Sequence, residues 1–154
     1  MGIGGREDRQ GNDLFFVCSV IEYIGRKTKN KRGEIVKQLG EKELSRLLEL
    51  ADVLHCVPIE ATSDDLIKRV GLSDGNFDNV ALCKYSVPTH FDIAKVYKRL
   101  VCDIAKNQNL KPIDTLVSAY SSSISQKIDD YNSSMYFENP QYLYASYVAG
   151  KAID

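Results

Sequence analysis

The sequence lacks any apolar run approaching the roughly twenty residues that a bilayer-spanning helix needs. Its first residues also lack the charged-then-apolar layout of a secretory signal. Both absences lead to the expectation of a cytoplasmic protein without a membrane partner. No CxxC pair occurs, because Cys18, Cys56, Cys83 and Cys102 are scattered. That spacing fits reduced thiols acting as small apolar side chains better than a disulfide framework. Charge of one sign is missing too: 20 basic residues stand against 21 acidic ones. The molecule as a whole therefore has no strong field to steer it towards nucleic acid, and any such binding must be local. Finally, there is no GxSxG, no glycine-rich phosphate loop and no HExxH. The sequence thus assigns no catalytic residue and no cofactor.

What is present is helical patterning. With 154 residues, 44% of them hydrophobic, one domain with a sizeable core is the default. The best-defined stretch runs from Ser86 to Asn107. Thr89-x-x-Asp92 reads as a capping box, so a helix should begin at His90. Ile93, Val96, Tyr97, Leu100, Val101 and Ile104 then recur at helical spacing, with Asp92, Lys95, Arg99, Asp103 and Lys106 on the opposite face. Pro88 and the Asn107–Asn109 segment bound it.

The glycine-rich, polar residues 1–12 have little to pack and read as a disordered tail, leaving 13–154 as a single helical domain. From Asp13, LFFVCSVIEYIG is apolar nearly all round and predicts a central buried helix, with Glu22 paired to Arg26. Lys31–Leu39 and Glu41–His55 predict two helices separated at Gly40, and Ser63-Asp-Asp65 reads as the cap of another that ends at Gly71. The pattern lapses between Gly71 and Ser86, an irregular segment that would join sub-units 13–71 and 86–154. Pro112 opens a long stripe from Ile113 to Tyr131, and Asn139-Pro140 opens a last helix ending near Gly150. The fold class is therefore all-α: a compact bundle of about seven helices with little or no sheet.

Three groups of residues are candidates for function. Arg26, Lys27, Lys29, Lys31 and Arg32 place five positive charges within seven residues. They read as a solvated connection or as a local contact for phosphates, the footing of a nucleic-acid-binding regulator. Tyr136, Phe137, Tyr142 and Tyr144 cluster around a turn and cannot all point inward, which suits a protein partner or self-association. His90 with Asp92 and Tyr97 can be drawn as an acid/base group of an unfamiliar enzyme, although capping already accounts for Asp92. His55, Cys56, Cys83 and His90 are the only set with zinc-ligand chemistry, and their spacing matches no close-pair arrangement, so no metal is expected.

Three segments also carry a resemblance. DLFFVCSVIEYIG, LLELADVLHC and SDDLIKRV contain Phe15, Phe16, Ile21 and Glu22, then Asp52, Leu54 and His55, then Asp64 and Asp65. Over Asp13 to Val70 the chain resembles an uncharacterised bacterial family of small helical domains associated with toxin-antitoxin-like loci. Such genes are similar to accessory components found near ADP-ribosyltransferase-like toxins. The resemblance implies an antitoxin or another protein-binding component of a toxin or defence system.

Overall fold

The computed structural model describes residues 6–153. Its axis is α1, Arg6–Thr28. Val17, Cys18, Val20, Ile21 and Ile24 of α1 are all fully buried. Two apolar stripes on one helix require cover on two sides. On one side lies α2, Arg32–Leu54, and on the other α5, His90–Gln108. Against the expectation of a tail over residues 1–12, the helix already runs through residues 6–12; residues 1–5 lie outside the described ones. Adding turns to a helix that is already anchored costs little compared with nucleating one. Gly11 is buried there rather than loose, and a Cβ on it would stand 3.1 Å from Lys98 Cε of α5.

Gly40 interrupts α2 with φ 75° and ψ 166°, a backbone that glycine reaches without strain, so the element is two helical segments meeting at a kink. Next come α3, Ile59–Val70, which Gly71 closes in the left-handed conformation, and the short α4, Asn79–Leu82. The start of α3 corrects the sequence reading. Pro58, not Ser63, precedes its first turn, and Ser63 is buried inside it with its hydroxyl unpartnered.

The capping box of α5 is present as expected: Thr89 Oγ1 accepts from the Asp92 amide at 3.0 Å, and the Thr89 amide donates to Asp92 Oδ2 at 2.9 Å. The stripe after Pro112 divides into α6, Pro112–Ser121, and α7, Ser123–Ile128. Ser122 is extended between them, and its hydroxyl donates to the Ala119 carbonyl at 2.7 Å, which competes with continuing the helix. The stripe survives the break because Ile124 and Ile128 remain fully buried. A 3-10 turn over Met135–Phe137 leads to α8, Pro140–Ala149, capped by Asn139. Among the described residues the fold is all-α, with eight α-helices and no strand, and no helix is long and apolar enough to cross a membrane.

Candidate functional site: a buried polar cluster, its cavity and an aromatic groove

The charge run after α1 does not stay at the surface. Arg32, in the first turn of α2, is fully buried, and so is Glu22 of α1, at 0% and 1% side-chain exposure. Arg32 Nε donates to Glu22 Oε1 at 2.9 Å and its Nη2 donates to Oε2 at 3.0 Å. Two parallel bonds between planar groups are the geometry that favours arginine over lysine. Two further guanidinium protons go to the Asn30 carbonyl at 2.7 Å and to Asn79 Oδ1 at 3.0 Å. Arg26 adds a third donor to the same carboxylate at 2.9 Å and also reaches the Pro88 carbonyl and the Tyr131 hydroxyl. The Tyr131 hydroxyl in turn donates to Glu22. Burial pushes the Glu22 pKa up, but the charge and hydrogen bonds of Arg32, with those of Tyr131 and Arg26, outweigh this and keep it below the usual carboxylate value.

This cluster ties α1, α2, α4 and the segments before α5 and after α7 to one point. The loop that covers it is itself pinned: Gly75 N–H donates to the Thr28 carbonyl and Phe77 N–H to the Lys29 carbonyl, both at 2.8 Å. The Phe77 ring lies 5.9 Å from the Arg32 guanidinium carbon.

Asn79 carries the network onward by donating to the Asp129 carbonyl at 2.9 Å. The Asp129 side chain is also buried, and its Oδ1 accepts from the Tyr97 hydroxyl at 2.8 Å. Tyr97 OH is within 2.6 Å of Ser125 Oγ as well. Burial, followed by the nearby negative charge of Glu22, pushes the Asp129 carboxyl up to about 7. Ser125 and Asp129 line a cavity of about 480 Å³ between the start of α2 and the α6–α7 junction. A buried acid of shifted pKa at the wall of a cavity is a site feature in its own right. Nothing in the spacing of the sequence marks Asp129, Ser125 or Asn79, because their roles depend on contacts between distant elements.

A groove of about 550 Å³ lies between α1, the end of α2, the start of α3 and α5. Phe15 and Phe16 of α1, Val57, Ile59 and Phe91 line it. Phe91 is 50% exposed, with its ring 5.9 Å from Phe15 and 4.1 Å from His90. Asp13 and Asp52 line the same groove. Partial burial, then the charge of Asp52, raises the Asp13 pKa, while Arg9 and His55 act in the opposite direction.

The residues singled out from sequence are placed as follows. Of the five cations, Arg32 is sealed in the core and Arg26 is engaged with Glu22, so only Lys27, Lys29 and Lys31 remain at the surface. Lys27 pairs with Asp64, and Lys29 stands 3.9 Å from Asp78. Of the four aromatic residues around the turn, Phe137 is 68% exposed, whereas Tyr136, Tyr142 and Tyr144 are half-buried against the core. The Tyr142 hydroxyl donates to the Ile153 carbonyl at 2.6 Å and holds the final segment. His90 and Tyr97 are not brought together: His90 sits between Tyr23 and Phe91, while Tyr97 stacks on Tyr120 at 4.0 Å and turns to Asp129. Burial, then the charge of Arg26, lowers the His90 pKa. Among the described residues no group of three or more His, Cys, Asp or Glu is arranged to hold a metal ion.

Compared with family models, curated proteins and solved structures, the chain matches none.

Proposed function

We propose that this protein acts by binding another protein, and that the partner seats an apolar segment in the groove between α1, the end of α2 and α5. The observation that carries this reading is Phe91. A phenylalanine half open to water, at the wall of a concave apolar groove and beside other aromatic rings, is a poor arrangement for an isolated fold and a good one for an interface core. Asp13 and Asp52 give the groove a preference for a partner carrying a lysine or arginine, since a cation near both relieves their mutual repulsion. An amphipathic helix with one basic residue has this chemistry. The exposed Phe137 offers a second contact from the aromatic turn.

The resemblance over Asp13 to Val70 supports a partner that is a bacterial toxin or defence effector, which this protein would neutralise. Phe15, Phe16, Asp52 and His55, which help to carry that resemblance, also line the groove. The four cysteines are unpaired, in keeping with a reducing, cytoplasmic setting. Of the five cations of the nucleic-acid reading, Arg32 is lost to the interior and Arg26 is taken up by its ion pair with Glu22.

Photo-crosslinking in cells expressing the protein from its own locus tests this. A Phe91→p-benzoylphenylalanine variant should give one dominant protein adduct, and the same substitution at Val148, 61% exposed on α8, should not. Adding Asp52→Lys should weaken the adduct at 91. Equal adducts at both positions, or none at 91, reject the reading.

A further inference from the structure

We propose that the seam between α5 and the turn leading into α8 is a second docking surface, which takes an acidic peptide segment of a partner protein and seats one of its large apolar side chains beside Phe137. The inference stands apart from the groove, because the two sites share no lining residue.

The apolar part of the seam is a small pocket of about 210 Å³. Leu100 of α5 and Leu143 of α8, both buried, line it together with the half-buried Val96. Small-molecule sites usually begin at about 300 Å³, so this space is short for a metabolite and suits a single side chain. Interfaces concentrate their energy in buried anchors of that kind. Phe137 lines the same pocket and is 68% exposed.

That exposure does not come from looseness. The Phe137 amide donates to the Ser134 carbonyl at 3.1 Å, and the Glu138 amide to the Met135 carbonyl at 3.2 Å. Ser133 Oγ donates to the Lys127 carbonyl at 2.8 Å and accepts from the Met135 amide at 3.2 Å. The Tyr136 ring meets Phe137 edge-on, with centroids 5.0 Å apart. An aromatic ring held out in water by a bonded turn is ordered before any partner arrives, which removes part of the cost of binding.

The charges of the seam decide the class of partner. Lys95 and Arg99 line the pocket, are exposed, and make no ion pair among the described residues. Four residues apart on α5, they are separated by a rise of about 6 Å. Alternate residues of an extended chain are about 6.6 Å apart, so two carboxylates of one peptide reach both cations. Glu138, the pocket's own carboxylate, accepts from Ser134 Oγ at 3.1 Å. Beyond Arg99 the seam continues as a trough lined by Gln141 and Tyr144, whose side chains offer further donors. A nucleic acid fits less well: Glu138 and Asp103 stand among the cations, where an evenly charged phosphate backbone would meet them.

Selection from a random heptapeptide library displayed on phage tests the proposal, with the folded Lys95→Gln, Arg99→Gln protein as the counter-target. Both substitutions fall at exposed positions and keep good helix formers. The enriched peptides should carry acidic residues around one leucine or aromatic residue. In fluorescence polarisation, a synthetic peptide of that consensus should bind the wild type and lose on the order of tenfold or more in affinity for the double variant. Phe137→Ser should weaken it similarly. A basic or uncharged consensus, no enrichment over the counter-target, or full affinity in the double variant overturns the proposal. So does loss of the same peptide in Phe91→Ala, which would place it in the groove, or tighter binding of a single-stranded oligonucleotide that displaces the peptide.

Discussion

Arg32 and Glu22 form a two-bond ion pair from which water is excluded, with nitrogen-oxygen distances of 2.9 and 3.0 Å. A charge taken out of water is tolerated when its partner is well placed and further hydrogen bonds satisfy its protons, and here Asn30 and Asn79 accept two more. The pair therefore specifies how α1 meets α2, and it turns a run of cations into an internal joint.

Removing one partner should be much worse than removing both. Arg32→Met leaves the Glu22 carboxylate buried with fewer donors and should cost about 3 to 5 kcal/mol in urea unfolding. Combining it with Glu22→Leu should recover a large part of that loss, since Arg26 is partly exposed and can turn to water. Strictly additive losses in the double-mutant cycle would show that the two side chains are not coupled.

Gly25 makes the same point from the backbone. A Cβ there would lie 2.3 Å from Arg32 Cδ, and the guanidinium has no room to retreat. Gly25→Ala should destabilise by about 2 to 4 kcal/mol, despite the usual gain of alanine within a helix. Gly40→Ala meets nothing within 4 Å, but φ 75° with ψ 166° is a backbone open essentially to glycine alone, so it should cost about 1 to 3 kcal/mol. A Gly25→Ala variant as stable as wild type in thermal or denaturant unfolding contradicts the packing described.

The pH dependence should carry the sign of Asp129. Its carboxyl is raised from 3.8 to about 7 in the folded state, so the native protein holds that proton more tightly than the unfolded chain. The stabilisation this gives is complete below the unfolded value and is lost as pH rises through 7, by on the order of 4 kcal/mol in all. His90, whose pKa is lowered, acts oppositely: its contribution is lost as pH falls below its unfolded value. Comparing wild type with Asp129→Asn between pH 5.5 and 8 removes the histidine from the difference. The variant should gain on wild type as pH rises; a constant difference contradicts the shift.

Much of the fold can be read locally. The spacing from Ile93 to Ile104, the Thr89–Asp92 box and the Asn139–Pro140 start are decided within one turn of the residues concerned, and each appears as expected. The stripe from Ile113 to Tyr131 preserved its buried face but not its continuity, because a Ser122 hydroxyl can satisfy a carbonyl that would otherwise continue the helix. Site chemistry was least legible where it is least local. Arg32 looks like one of five solvated cations until Glu22, ten residues earlier, and Asn79, forty-seven later, are brought to it. Asp129 looks like a turn residue until Tyr97 reaches it. The groove was not legible either: Phe15 and Phe16 read as part of a helix buried nearly all round, whereas both are only partly buried and line the groove.

The most direct measurement is the affinity of the partner crosslinked through position 91 for wild-type protein and for Phe91→Ala. Phe91 supports little of the core, so the variant should unfold within about 1 kcal/mol of wild type. Its affinity should nevertheless fall by about 2 kcal/mol or more, some thirtyfold, as for an aromatic anchor at an interface centre. Equal affinity in a folded variant would contradict the account and move the partner's seat away from this groove.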